Sequence, residues 1–123
     1  MAGTGGYREL KVWHRSVDVA VRCYAVARAM PDYERFALAD QLRRSAVSIA
    51  SNIAEGHQLH SKKSYVHHLR ISRGSLAEVE TQIAIATKVG YVTESAVEPL
   101  LEELDEIGRM IAGLIRGVNK VDD

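Results

Sequence analysis

Apolar residues recur at steps of three and four along almost the whole chain, the spacing of helices packed on one face. From about Leu10 to Ala29, Leu10, Trp13, Val17, Ala20, Tyr24 and Ala27 fall on one side of a helix. A second stripe follows Val12, Val19, Cys23, Val26 and Met30, and Arg8, Lys11, Arg15, Asp18 and Arg22 fill what remains. A helix that is apolar on two sides is packed on two sides. In so short a chain the second side is open to another subunit, and Val12, Val19, Cys23 and Val26 are the candidate oligomer interface. Pro31 ends this helix.

The next helix is expected over residues 33–55, with Leu42, Ala46, Ile49 and Ile53 on its core face and Gly56 as a left-handed C-terminal cap. After a loop from His57 to His60, Ser61 caps a third helix over 61–88, with a core stripe of Tyr65, Leu69, Ser72, Leu76, Val79, Ile83 and Ala86. Gly90-Tyr91 makes a turn. Ser95 and Glu98 match a capping box and Pro99 suits the first turn of a fourth helix over 95–118. Val97, Leu100, Leu104, Ile107, Ile111, Leu114 and Val118 repeat there as a strict heptad. Leu101, Gly108, Ala112 and Ile115 form a neighbouring stripe rich in small residues.

No stretch alternates with period two. The pattern therefore predicts an all-α domain over residues 8–118, flanked by a flexible tail at 1–7 and a short tail at 119–123. Rods of about 30–40 Å joined by short loops favour an antiparallel up-down-up-down four-helix bundle.

On the second helix Gln41, Arg44, Ser48, Asn52 and Glu55 lie within an arc of about 60°. This polar ridge runs beside the core stripe. A hydrogen-bonded network that fixes helix register is the reading of first choice, with Arg44 paired to Glu78 or Glu80 and Glu55 drawn to a cation or donor near the helix end. A partner-binding ridge is the alternative. Ser72-Arg73-Gly74-Ser75 makes a small-residue notch in the third helix, expected to pack against that ridge.

Composition changes the picture only in places. Net formal charge is zero, yet residues 1–75 carry 12 Lys/Arg and 6 Asp/Glu whereas 76–123 carry 4 and 10. Such asymmetry marks either a polyanion-binding face or basic and acidic helices that attract one another. Arg35, Arg43, Lys62, Lys63, His67, Arg70 and Arg73 are the candidate nucleic-acid contacts, and Lys63, His67 and Arg70 share an arc of about 60°. No apolar run approaches a membrane span, and the first residues lack a signal-peptide pattern. Cys23 is the single cysteine, so no internal disulfide forms and a cytoplasmic setting is expected. His57, His60, His67 and His68 invite a metal, but loop placement and divergent side chains argue against one, and no cofactor is expected. No nucleophile–base pair is evident, so no enzymatic activity is expected.

Leu10 to Trp13, Pro31 with Glu34 and Phe36, the block from Gln41-Leu42-Arg43-Arg44-Ser45-Ala46 through Asn52-Ile53-Ala54-Glu55-Gly56, and Gly74-Ser75-Leu76-Ala77-Glu78-Val79-Glu80 carry a resemblance. The chain resembles the four-helix bundle proteins also called 23S ribosomal RNA intervening-sequence proteins, over residues 7 to about 118. Ala50 departs from the pattern, where the family often has proline. The resemblance implies a bundle that assembles as a homo-oligomeric ring, a pentamer, with no enzymatic activity. It also implies kinship to the accessory protein of diversity-generating retroelements, hence RNA, DNA, a reverse transcriptase or another protein as partner. Two functions follow as expectations: a nucleic-acid- or ribonucleoprotein-associated scaffold, or a protein-interaction module that binds no nucleic acid.

Overall fold

The computed structural model describes residues 6–120. Four helices carry it: α1 Lys11–Arg28, α2 Leu38–Gln58, α3 Lys62–Lys88 and α4 Glu94–Lys120, with 3-10 turns at Tyr7–Glu9 and Asp32–Glu34 and no strand among the described residues. Each helix packs on its neighbours in sequence, and α1 closes onto α4. The diagonal pairs α1/α3 and α2/α4 have no backbone approach, so the helices surround a single core. Val19, Cys23, Leu42, Ile49, Ile53, Leu69, Ile83, Leu104, Ile107 and Ile111 fill it and are fully buried. Burying such side chains contributes about 1.5–3 kcal/mol each, the main force holding the helices together.

The ends of the helices depart from expectation for local reasons. Of the tail expected at 1–7, residues 1–5 lie outside the described part; Tyr7 opens a 3-10 turn and sets its ring 5.2 Å from Trp13. Helix α2 starts at Leu38 rather than near 33, because Asp32–Glu34 after Pro31 forms a separate 3-10 turn. The Glu34 carboxylate then accepts the Leu38 amide at 3.2 Å and serves the helix start. At its other end α2 runs past Gly56 to Gln58, and His60 takes the left-handed conformation (φ 55°) in the turn.

Ser61 caps α3 as expected, accepting the Ser64 amide at 3.3 Å. After α3, Gly90 adopts φ 91°, and Tyr91 N–H donates to Ala86 C=O at 2.9 Å, a Schellman closure. The expected Ser95–Glu98 box does not form. Thr93 caps α4 instead, its Oγ1 accepting the Ala96 amide at 3.2 Å, which places Pro99 in the second turn. Residues 119 and 120, expected in the tail, are helical; 121–123 lie outside the described residues.

The α4 heptad holds through Ile111, after which Ile115 is buried and Leu114 only partly so. A straight helix drifts by roughly 20° per heptad, and the core stripe moves over by one position. Helix α1 shows the larger correction. Its Val12, Val19 and Cys23 are 3%, 0% and 0% exposed within the single chain, and Val26 is partly buried against the core. The candidate oligomer interface therefore faces inward. Trp13, Val17, Ala20 and Tyr24 form the outer side, because the narrow centre accepts Val, Ser and Cys, whereas aromatic rings with a polar end settle at edges.

Candidate functional site

The expected polar ridge meets a matching stripe on α3. Along α2, Ser45, Ser48, Ile49 and Asn52 face Gln82, Ser75, Ser72 and His68 in turn. Gln82 Nε2 donates to Ser45 Oγ at 3.2 Å, and Ser45 Oγ donates to Glu78 Oε1 at 3.2 Å. Ser75 Oγ donates to Ser48 Oγ at 2.8 Å, and the buried Ser72 hydroxyl donates to the Ile49 carbonyl at 2.8 Å. Asn52 Nδ2 donates to the Ser48 carbonyl (2.9 Å) and hydroxyl (3.0 Å), while His68 Nδ1 lies 2.9 Å from Asn52 Oδ1. Glu55 Oε1 lies 3.7 Å from the same Nδ1, beyond hydrogen-bond distance.

Two ridge residues take no part. Arg44 pairs with Asp40 of its own helix at 2.8 Å and is 80% exposed, rather than with Glu78 or Glu80, and Gln41 stays at the surface. Glu80 instead sits near Asp105; burial first, then that neighbouring charge, raises its carboxyl above the ordinary range.

Gly56 explains how the two helices come so close. A Cβ built there would lie 2.6 Å from His68 Cβ and 3.3 Å from Tyr65 Cδ1. The residue expected as a cap is thus a contact point, buried inside α2. Gly74 reverses the expectation in the other sense. Ser72 and Ser75 of the notch do bond α2, but Gly74 is exposed and a Cβ there would meet nothing within 4 Å.

On the opposite flank α1 is tied to α4. Arg15 donates through Nε and Nη2 to the two Glu103 oxygens, both at 2.7 Å. Hydrogen bonding to Arg15 holds the Glu103 carboxyl below its ordinary range against a smaller opposing effect of burial. The Cys23 thiol, sealed in the core, is pushed up to about 12 by burial.

Of the candidate nucleic-acid contacts, Lys62, Lys63, His67 and Arg70 converge. With Val66 and Asn119 they line a recess of about 470 Å³ between the start of α3 and the end of α4, with no carboxylate among its described lining residues. Arg35 and Arg43 do not join them. They lie near the start of α2, where Arg43 donates to the Arg35 carbonyl at 2.9 Å and Arg35 stacks over Phe36 at 5.2 Å. Ser45 of that region bonds Gln82, far along α3 from Lys62. Arg73 lines a separate cleft with Glu80, Asp105 and Arg109, where carboxylates offset its charge.

An apolar groove of about 620 Å³ lies along α1 and α2, lined by residues including Trp13, Val17, Val21, Tyr24, Val47 and Ala54, with Arg28 the one charged residue among its described lining. Among the described residues no three His, Cys, Asp or Glu side chains gather as metal ligands, and no helix is long and apolar enough to cross a membrane.

Sequence reasoning named Ser75 only within the packing notch and His68 only among the histidines weighed for a metal, and it did not name Gln82 or the groove residue Val47. The signal for the α3 half of the seam was present: His68, Ser72, Ser75 and Gln82 step by four, three and seven, a polar stripe on α3 complementary to the one on α2.

The fold and its polar seam define a helical-bundle protein whose distinctive surfaces are a basic recess and an apolar groove. The chain belongs to the 23S rRNA-intervening sequence protein family, whose model matches residues 8–113. It is similar to a solved protein of unknown function from the S23 ribosomal protein family of Bacteroides thetaiotaomicron VPI-5482. That likeness has 25% identity and a TM-score of 0.78, covering 85% of this chain and 97% of the other. No curated relative matches.

Proposed function

We propose that this chain is a non-enzymatic scaffold that binds nucleic acid through its basic recess and works as a homo-oligomeric ring of antiparallel up-down-up-down bundles, a pentamer. The observation that carries the reading is the convergence of Lys62, Lys63, His67 and Arg70 on one recess. Phosphate binding needs several cations on one face, because each contact releases counterion. Repetition around a ring turns a weak contact into a strong one. The antiparallel course is supported by the seam, where rising positions on α2 meet falling positions on α3. Self-association is supported by the α1–α2 groove, whose Val21 and Val47 are 63% and 44% exposed. A heterologous contact that closes on itself gives a ring.

The test is an RNA-binding titration over a range of salt. Affinity that falls steeply with salt supports the reading. A Lys63→Gln/Arg70→Gln variant should flatten the log–log slope by about 1.4–1.8, roughly 0.7–0.9 for each of the two lost phosphate contacts. No binding even at low salt sinks it. The same groove favours a second reading in that event, a protein-interaction module with no nucleic-acid partner.

A further inference from the structure

Two features of α3 work against the stability of the isolated chain. Its first turn carries Lys62 and Lys63 and no acidic residue, although the positive end of the helix dipole disfavours cations there. Gly74 sits in the helix interior, where glycine weakens a helix relative to alanine. Nothing in the fold asks for it, since no atom lies within 4 Å of where its Cβ would stand.

Lys63 and Gly74 belong to one surface stripe. Lys63, His67, Arg70 and Gly74 are all exposed and fall within an arc of about 60°. From first to last they extend about 16 Å along the helix. Glu78, one turn further on and bonded by Ser45, bounds the stripe with a carboxylate that would repel phosphate. The stripe has no tyrosine, tryptophan or phenylalanine; its one ring is the His67 imidazole, which lies edge-on to His68 with ring centroids 5.3 Å apart. The exposed aromatics Tyr24, Tyr33 and Phe36 lie on α1 and on the connection from α1 to α2.

We propose that this stripe is a track for the sugar-phosphate backbone of a nucleic-acid duplex, with the cations meeting phosphates and Gly74 marking the closest approach of the backbone to the helix. The proposal rests on the nucleic-acid reading above and names the ligand form and its footprint. Single strands are held by cations together with a series of aromatic platforms on which successive bases stack, and this face offers one imidazole and no larger ring. A duplex keeps its bases stacked inside and presents its phosphates outward, so cations and a flat place suffice. A glycine supplies the flat place.

The experiment measures binding of labelled RNA and DNA duplexes of about 16 base pairs, and of the matching single strand, at low salt. Wild type, Lys63→Gln/Arg70→Gln and Gly74→Leu are compared, with thermal melting and solution mass recorded for each. The expected result is at least about tenfold tighter binding of one or both duplexes than of the single strand, the two duplex arms telling RNA from DNA. Gly74→Leu should weaken duplex binding about tenfold, with Tm unchanged or raised and mass unchanged.

Single-strand binding equal to duplex binding overturns the assignment. Duplex binding lost in the charge variant but intact in Gly74→Leu sinks the track and leaves the nucleic-acid reading standing. No binding of any probe by wild type sinks both. A changed mass in Gly74→Leu gives the face to a second copy of the chain and overturns the proposal.

Discussion

The same substitution, glycine to alanine, should have opposite effects at two places on adjoining helices. At Gly74 the added methyl enters open space, so only helix propensity acts, and the gain is about 1 kcal/mol at most. At Gly56 the same propensity gain competes with a collision, since the new Cβ would stand 2.6 Å from His68 Cβ. That neighbour is the root of a side chain, not its flexible end, so α2 and α3 must separate by several tenths of an ångström. The hydrogen bonds of the seam, at 2.8–2.9 Å between Ser48 and Ser75, Ile49 and Ser72, and Asn52 and His68, resist that movement. Overpacking of this kind costs about 1–3 kcal/mol. With the full propensity gain set against it, the net expectation for Gly56→Ala is destabilisation of up to about 2 kcal/mol, centred near about 1 kcal/mol, a fall in Tm of a few degrees. Thermal and urea melts of the two variants beside wild type measure the contrast. A rise in Tm for Gly56→Ala would refute the claim that the α2–α3 contact depends on that glycine, and a marked fall for Gly74→Ala would refute the claim that its surroundings are open.

Three further outcomes follow from the seam and the flank. Asn52→Ala strips His68 Nδ1 of its acceptor and Ser48 of two contacts, and should lower stability by about 1–3 kcal/mol in urea unfolding, whereas Arg44→Ala, which breaks only an exposed pair, should change it by less than about 0.5 kcal/mol. Glu103 has its folded pKa held below the unfolded value, so its contribution is fully present above about pH 4.3 and is lost as pH falls through the depressed folded value; Glu103→Gln should remove that acid-side component from a stability-versus-pH curve. Cys23 is 0% exposed and its thiol is raised to about 12, so at pH 8 it should react with a thiol reagent only as fast as the chain opens, and at once in denaturant.

Much of the architecture was legible in spacing alone. Four helices and most of their core residues follow from steps of three and four, because burial of one face leaves a strong mark on sequence. The ends were less legible, since caps are chosen by competition between neighbouring polar groups. Thr93 displaced Ser95, and Glu34 served α2 from outside it. Choosing between the two apolar stripes of α1 was beyond periodicity. Trp13 and Tyr24 are bulkier than Val12, Val19 and Cys23, but Val17 is the same residue as Val12 and Val19, so only the space between helices decides which set goes inside. Half of the polar seam was visible as the ridge on α2. Of its other half the Ser72–Ser75 notch was legible as a packing surface, whereas the roles of His68 and Gln82 were not, because a seam is a property of two helices in register. The basic recess was legible in part: the α3 cations share one stripe, but only the fold brings Asn119 of α4 beside them and leaves Arg35, Arg43 and Arg73 elsewhere.

The scaffold reading stands or falls on assembly. Light scattering of the purified chain in moderate salt should give a mass several times 13.6 kDa, five times for a pentamer, and Val17→Glu, which places a charge in the α1–α2 groove, should reduce it towards a single chain without loss of helical content. A wild-type mass of 13.6 kDa at every concentration would contradict it.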